Sequence, residues 1–299
     1  MGKVWSVGLF EELRDKEIPY INKSFKLFSP RRIRKKFKHL HTIADPFLIV
    51  FNEDLYLFAE TQEHKKLGCI NVWKTNDLKE WFNLGLVLEE STHLSYPFVY
   101  LDECTNTHYL IPESEKKKEV CLYRFNSFPF ELVKICVLLK GNYVDSNLIF
   151  KNGIYYLITT NNETKFLEIY FSEKLVSDSW TPHSMNPITA NQKIARNGGG
   201  FTMLKNQLYR IAQNCEKIYG EGIVFLKVDE LTPTVYKETI VISDFKPSTQ
   251  ENWNIIGRHH FSYAFFKSKK IIAIDGIQED IIANKFINQI FKILSWVMK

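Results

Sequence analysis

"DPFLIVFNEDLYLFAE", residues 45–60, reads as an apolar run, a short polar turn at 52–54 and a second apolar run. Two such runs around so tight a turn predict a β-hairpin. Both runs are apolar almost throughout, so both faces of the hairpin are expected to be buried. The pattern returns four times: YPFVYLDECTNTHYLIPE from Tyr96, DSNLIFKNGIYYLITT from Asp145, GGGFTMLKNQLYRIAQ from Gly198 and HFSYAFFKSKKIIAIDG from His260. The spacings are 51, 49, 53 and 62 residues.

A third strand follows each of the first four hairpins, within 68–81, 119–131, 166–180 and 222–236. Short fourth strands fit around 86–88 and 135–139. Nothing comparable follows the fifth hairpin, so VWSVGLF at 4–10 is expected to close the ring. Four-stranded units with a period near 50 are the signature of a β-propeller. The expectation is an all-β, five-bladed propeller over 1–279, with a β-sandwich as the alternative. The tail from Asp280 to Lys299, DIIANKFINQIFKILSWVMK, has apolar residues three or four apart and reads as an amphipathic helix.

Composition agrees. Of the 299 residues, 45% are hydrophobic, 24% charged and 14% aromatic, which excludes disordered and collagen-like classes. The first residues hold no apolar core with a small-residue cleavage site. No uncharged run approaches the ~18 residues of a membrane span. Five cysteines without a CxxC pair argue against a disulfide framework or zinc cage. A cytoplasmic protein is expected, held at the inner face of a membrane. The means would be Arg31, Arg32, Arg34, Lys35, Lys36 and Lys38, clustered within eight residues, together with the tail. A solvated loop and a protein-packed helix are the plain alternatives. Nucleic acid is not favoured, because only that cluster supports it.

In a propeller the first strands line the axis, and strands alternate in direction. First-strand starts, second-strand ends and third-strand starts therefore share one face. First strands open at Asp45, Tyr96, Asp145, Asn197 with Gly198, and His259 with His260. Second strands close at Glu60, Glu113, Thr160, Gln213 and Asp275, and Tyr219, Gly220 and Glu221 precede a third strand. Strand ends are often polar simply because they meet water. Asp45, however, sits between Ala44 and Pro46 in an apolar run. A polar funnel on an apolar scaffold is expected, which is how ligand sites are built. Crowded carboxylates should have proton affinities pushed apart, as acid–base chemistry requires. Tyr96, Tyr219 and Trp253 could offer stacking faces to a sugar. Arg196 with the glycines at 198–200 could hold a phosphate or carboxylate. The spacing is not that of a P-loop. His259 and His260 lack a spaced partner, so neither a metal nor another cofactor is expected.

Eight motifs, ADPFL (44–48), FAE (58–60), YPFV (96–99), IPE (111–113), DSNLIF (145–150), ARNGG (195–199), YGEGI (219–223) and HHFS (259–262), run in order along the chain. Together they resemble the N-terminal propeller domain of plant glucosamine inositolphosphorylceramide transferases and its bacterial relatives, which accompany surface-polysaccharide synthesis. The wider superfamily is the five-bladed propeller of glycoside hydrolase family 43. The resemblance implies Asp45 as general base, Asp145 as the residue that tunes it and Glu221 as general acid. Glu60, Tyr96, Glu113, Arg196, Asn197, Tyr219, His259 and His260 would bind substrate. The residues outside that triad point away from simple hydrolysis. Three functions remain open: transfer of a sugar from an activated phosphate donor to a glycan or lipid-linked acceptor, inverting glycoside hydrolysis, and glycan binding without catalysis.

Overall fold

A computed structural model describes residues 3–13, 18–30, 40–63, 65–249 and 251–279. The basic cluster at 31–38 and the tail at 280–299 lie outside the described residues, and with them the expected helix. What is described is the five-bladed propeller, without an α-helix among the described residues. Blade one runs Leu40–Phe51, Asp54–Glu63, Gly68–Thr75 and Phe82–Leu88. Blade two runs Ser95–Asp102, Thr107–Glu113, Glu119–Ser127 and Phe130–Lys140. Blade three is Tyr143–Lys151, Ile154–Asn161, Phe166–Ser172 and Thr181–Pro182.

Blade four has a broken inner strand, Arg196–Asn197 then Thr202–Leu204, followed by Gln207–Asn214, Gly222–Leu231 and Tyr236–Phe245. Blade five takes Phe261–Phe266 and Lys269–Glu279 from the C-terminal side, then Lys3–Glu11 and Lys26–Phe28 from the N-terminal side. The closure runs antiparallel from Lys3 opposite Glu279 to Glu11 opposite Ile271. The ring is thus shut by backbone hydrogen bonds between the chain's two ends, and no blade keeps a long open edge at the join.

The hairpin turns follow from backbone sterics. Asn52–Glu53, Asn152–Gly153, Lys205–Asn206 and Lys267–Ser268 all have positive φ at both central residues. That twist matches the twist of the flanking strands. The unbroken apolar runs are explained by burial on two sides. Phe47, Tyr56 and Phe58 of blade one pack with blade two, while Leu48, Leu55 and Leu57 pack with Val7, Leu9 and Ala273 of blade five. Alternate residues point to opposite faces, so both parities must be apolar. Each fully buried side chain contributes about 1.5–3 kcal/mol of transfer free energy.

Candidate functional site

Three inner strands share one local device. Register against the second strand slips at Ala44/Phe47, Ser95/Phe98 and Val144/Asn147. Within each slip one residue is left-handed: Asp45 at φ 52°, Tyr96 at 44° and Asp145 at 51°. Such bulges re-aim a side chain and cost about 1 kcal/mol or more at a residue other than glycine. They also free a backbone N–H, and carboxylates accept it. The Asp45 N–H donates to Asp275 Oδ2 at 3.2 Å, the Tyr96 N–H to Asp45 Oδ2 at 3.1 Å and the Asp145 N–H to Glu113 Oε2 at 3.2 Å. In each case donor and acceptor belong to adjacent blades, so the acidic side chains stitch the ring as well as furnish its mouth.

At that mouth is a cleft of about 280 Å³. Of the residues singled out from the sequence, Asp45, Glu60, Glu113, Asp145, Arg196, Tyr219 and His259 line it. Two corners differ in their cations. In one, Arg196 Nε donates to Asp145 Oδ2 at 2.5 Å, Arg196 Nη2 lies 3.7 Å from Glu113 Oε2, and Gln213 Nε2 donates to Asp145 Oδ2 at 3.1 Å. Burial opposes the charge on Arg196, but Asp145 more than restores it. Burial pushes the Glu113 carboxyl well above its ordinary range, and the neighbouring Asp145 charge adds to this.

In the other corner His259 Nδ1 lies 2.7 Å from Asp275 Oδ2 and 3.7 Å from Asp45 Oδ1. Burial disfavours a charge on His259, yet Asp275 outweighs it and the pKa is pushed up to about 9. Trp5 stacks on the His259 ring at 4.0 Å between centroids. Burial lifts the Asp45 carboxyl well above its usual range, with His259 opposing and Glu60 reinforcing the rise. The funnel therefore holds two ion pairs, each beside a carboxyl that keeps its proton unusually tightly. The donor atoms of Asp45, His259 and Asp275 lie within 4.8 Å of one another. With His259 Nδ1 turned to Asp275, the group reads as an ion pair rather than a metal site.

Five residues singled out from the sequence lie elsewhere, and one of them, Trp253, is buried in the apolar core against Phe10. Tyr96 is buried on the axis, its hydroxyl donating to Gly199 O at 2.9 Å and accepting from the Gly199 N–H at 3.0 Å. Asn197 is buried and ties Asp145 O to Arg210, which donates to its Oδ1 at 3.1 Å. His260 is buried between Phe47 and Tyr96, and burial pulls its pKa down to about 3, so it stays neutral. Glu221 is not among the lining residues, and its Oε1 lies 3.7 Å from Lys217 Nζ. The glycines at 198–200 do not form an anion cradle. The Gly198 N–H donates to Ile211 O, and a Cβ on Gly199 would come within 2.0 Å of Phe261 O. Gly198 and Gly199 let the backbones of blades four and five approach closely.

Residues 32–277 match the family model described as "Glucosamine inositolphosphorylceramide transferase 1, N-terminal". The chain belongs to that family. Glucosamine inositolphosphorylceramide transferase 1 of Oryza sativa subsp. japonica is 36% identical over 78% of this chain, and that of Arabidopsis thaliana is 35% identical. The chain spans about a third of the length of these relatives, 33% and 32%. Among solved structures, an alpha-L-arabinofuranosidase from Clostridium thermocellum superposes with TM-score 0.58 at 16% identity, over 77% of this chain and 81% of that one. A thermostable family-43 glycoside hydrolase gives 0.56 at 12%, over 71% and 79%. These likenesses concern the fold.

In this member of the glucosamine inositolphosphorylceramide transferase 1 N-terminal family, four participants carry no role in the sequence reading. Asp275 and Gln213 were visible as second-strand ends, the same signal that marked Glu60 and Glu113. Trp5 was visible only as part of the closing strand. His93, whose Nε2 lies 3.2 Å from Glu60 Oε1 and whose Nδ1 accepts from the Gly68 N–H, comes from the loop before blade two and carries no repeat signal.

Proposed function

We propose that this domain takes part in surface-glycan synthesis on the cytosolic side of a membrane. It would transfer a sugar or related group from an activated phosphate donor to a glycan or lipid-linked acceptor. The observation that carries this reading is the meeting of Asp45 and Arg196 in one cleft. Asp45 is a carboxyl of raised proton affinity, and Arg196 is a permanent cation. Once ionised, Asp45 is a stronger proton acceptor than an ordinary carboxylate. It takes the proton of the acceptor hydroxyl as that oxygen bonds to the sugar carbon. The bond from that carbon to the donor phosphate breaks, and the phosphate leaves with the electron pair beside Arg196. Trp5 and Tyr219 offer ring faces to a sugar. The names of the plant relatives support transfer to a glycolipid.

One observation favours hydrolysis as a second reading. Glu113 holds its proton tightly and could donate it to a leaving group. Assays on Asp45→Asn separate the readings. Transfer predicts donor-dependent glycan extension that falls at least about a hundredfold while the sugar still binds. Turnover of aryl glycosides by the wild type, lost in the variant, would replace transfer with hydrolysis. Sugar binding with neither activity would reduce the domain to a binding module.

A further inference from the structure

We infer that Tyr219 is the specificity-determining residue of the cleft, the wall against which the C–H face of a pyranose packs, and that Glu221 positions it. The inference rests on the carbohydrate reading proposed above. The Tyr219 ring touches the cation of each corner. The guanidinium of Arg196 lies over it, 5.1 Å from its centroid, and the His259 ring meets it at 5.1 Å and 77°. Trp5 meets it at 6.2 Å and 81°. Tyr219 thus spans the gap between the two ion pairs, yet it stays 51% exposed and lines the cleft.

The ring supplies what its surroundings lack. Asp45, Glu60, Glu113 and Asp145 can exchange hydrogen bonds with sugar hydroxyls, but a sugar ring also needs an apolar wall. Trp5 already has one face stacked on His259, and Ala44 is small and buried. Tyr219 is therefore the large apolar surface left to a ligand among the described lining residues. A tyrosine also offers contact area at low entropic cost, having only two side-chain torsions to fix. A pyranose presents a rigid patch of C–H bonds to such a ring, whereas an acyclic polyol with similar hydroxyls does not.

The loop that carries Tyr219 links Gln207–Asn214 to Gly222–Leu231 and is fastened along its length. The Glu216 N–H donates to Asn214 Oδ1 at 3.0 Å and the Glu221 N–H to Asn214 O at 3.0 Å. The Arg258 N–H ties in Gly220 O at 2.9 Å. Gly220 is left-handed, with φ 68°, and a Cβ there would come within 2.9 Å of Trp5. Glu221 closes the loop on itself. Its Oε2 accepts the Lys217 N–H at 3.3 Å, and its Oε1 lies 3.7 Å from Lys217 Nζ. Lys217 is exposed, so the charge pair adds little and the backbone N–H does the holding. The carboxylate that aligns with a general acid is thus turned from the cleft into a clasp around residues 218–220, which fixes where the Tyr219 ring stands.

The test is saturation-transfer NMR of the full chain with methyl β-D-glucopyranoside, and with sorbitol as the acyclic control. The wild type should bind the glucoside more tightly than sorbitol. Tyr219→Ala should weaken glucoside binding about tenfold, and Tyr219→Phe should restore it. Glu221→Ala should weaken it about threefold at an unchanged urea midpoint, and Glu221→Gln, which can still accept the Lys217 N–H, should recover it. With 3-fluorotyrosine incorporated, the fluorine signal that Tyr219→Phe removes should move in Glu221→Ala and return in Glu221→Gln. No glucoside binding by the wild type, equal binding by Tyr219→Ala, or no preference over sorbitol overturns the inference. So does a Glu221→Gln protein that binds the glucoside normally but has lost transfer, which would make Glu221 the acid. Transfer intact with glucoside binding indifferent to Tyr219 sinks the platform alone, whereas Tyr219-dependent binding without transfer in the wild type sinks the transfer reading alone.

Discussion

Asp45 and Asp145 occupy the same bulge in blades one and three, with the same left-handed backbone and comparable burial. Their neighbours differ. Asp145 meets the guanidinium of Arg196, which stays charged at every accessible pH. Asp45 lies beside His259, whose charge lasts only to about pH 9 and depends on Asp275. One backbone device, repeated around the ring, thus supports one electrostatically constant corner and one that titrates. The side chain supplied by an adjacent blade, blade five for Asp45 and blade four for Asp145, decides which.

The largest expected effect comes from breaking the titrating corner at its hub. Asp275 is fully buried and accepts the N–H groups of Asp45, His259 and His260. Asp275→Asn should cost about 3–5 kcal/mol in urea unfolding, because it leaves the His259 charge buried without its partner. The matching change in the other corner, Arg196→Met, should cost less, about 1–3 kcal/mol, since Gln213 still holds Asp145. Equal losses would show that the corners are not differently built.

The pH dependence sharpens the contrast. The folded pKa of His259 is raised from about 6.5 to about 9. Its stabilisation is therefore complete below about pH 6.5 and lost as pH rises through about 9. The urea midpoint should fall across that window, and His259→Gln should flatten the fall, whereas Arg196→Lys should leave it in place. The smallest effect is expected from Trp5→Phe, which shrinks the ring stacked on His259. A loss of about 0.5–1.5 kcal/mol, with a slightly lower His259 pKa by NMR titration, would match the stacking seen.

Much of this was legible in the chain. The repeat of paired apolar runs determined the blade count, the strand partners and the closing role of residues 4–10, because a strand buried on both faces must be apolar at every position. The same repeat aligned Asp45, Glu60, Glu113 and Asp145 at one mouth. Contacts between blades were not legible, because repeat phase says which end of a strand a residue occupies but not what faces it across the gap. Only the tertiary structure turned Glu221 towards Lys217, buried Tyr96, Asn197 and His260 beneath the floor, and brought in Trp5 and His93. Periodicity is a local property set by burial along one strand, whereas proton affinity and pairing depend on side chains that meet only once the ring has closed.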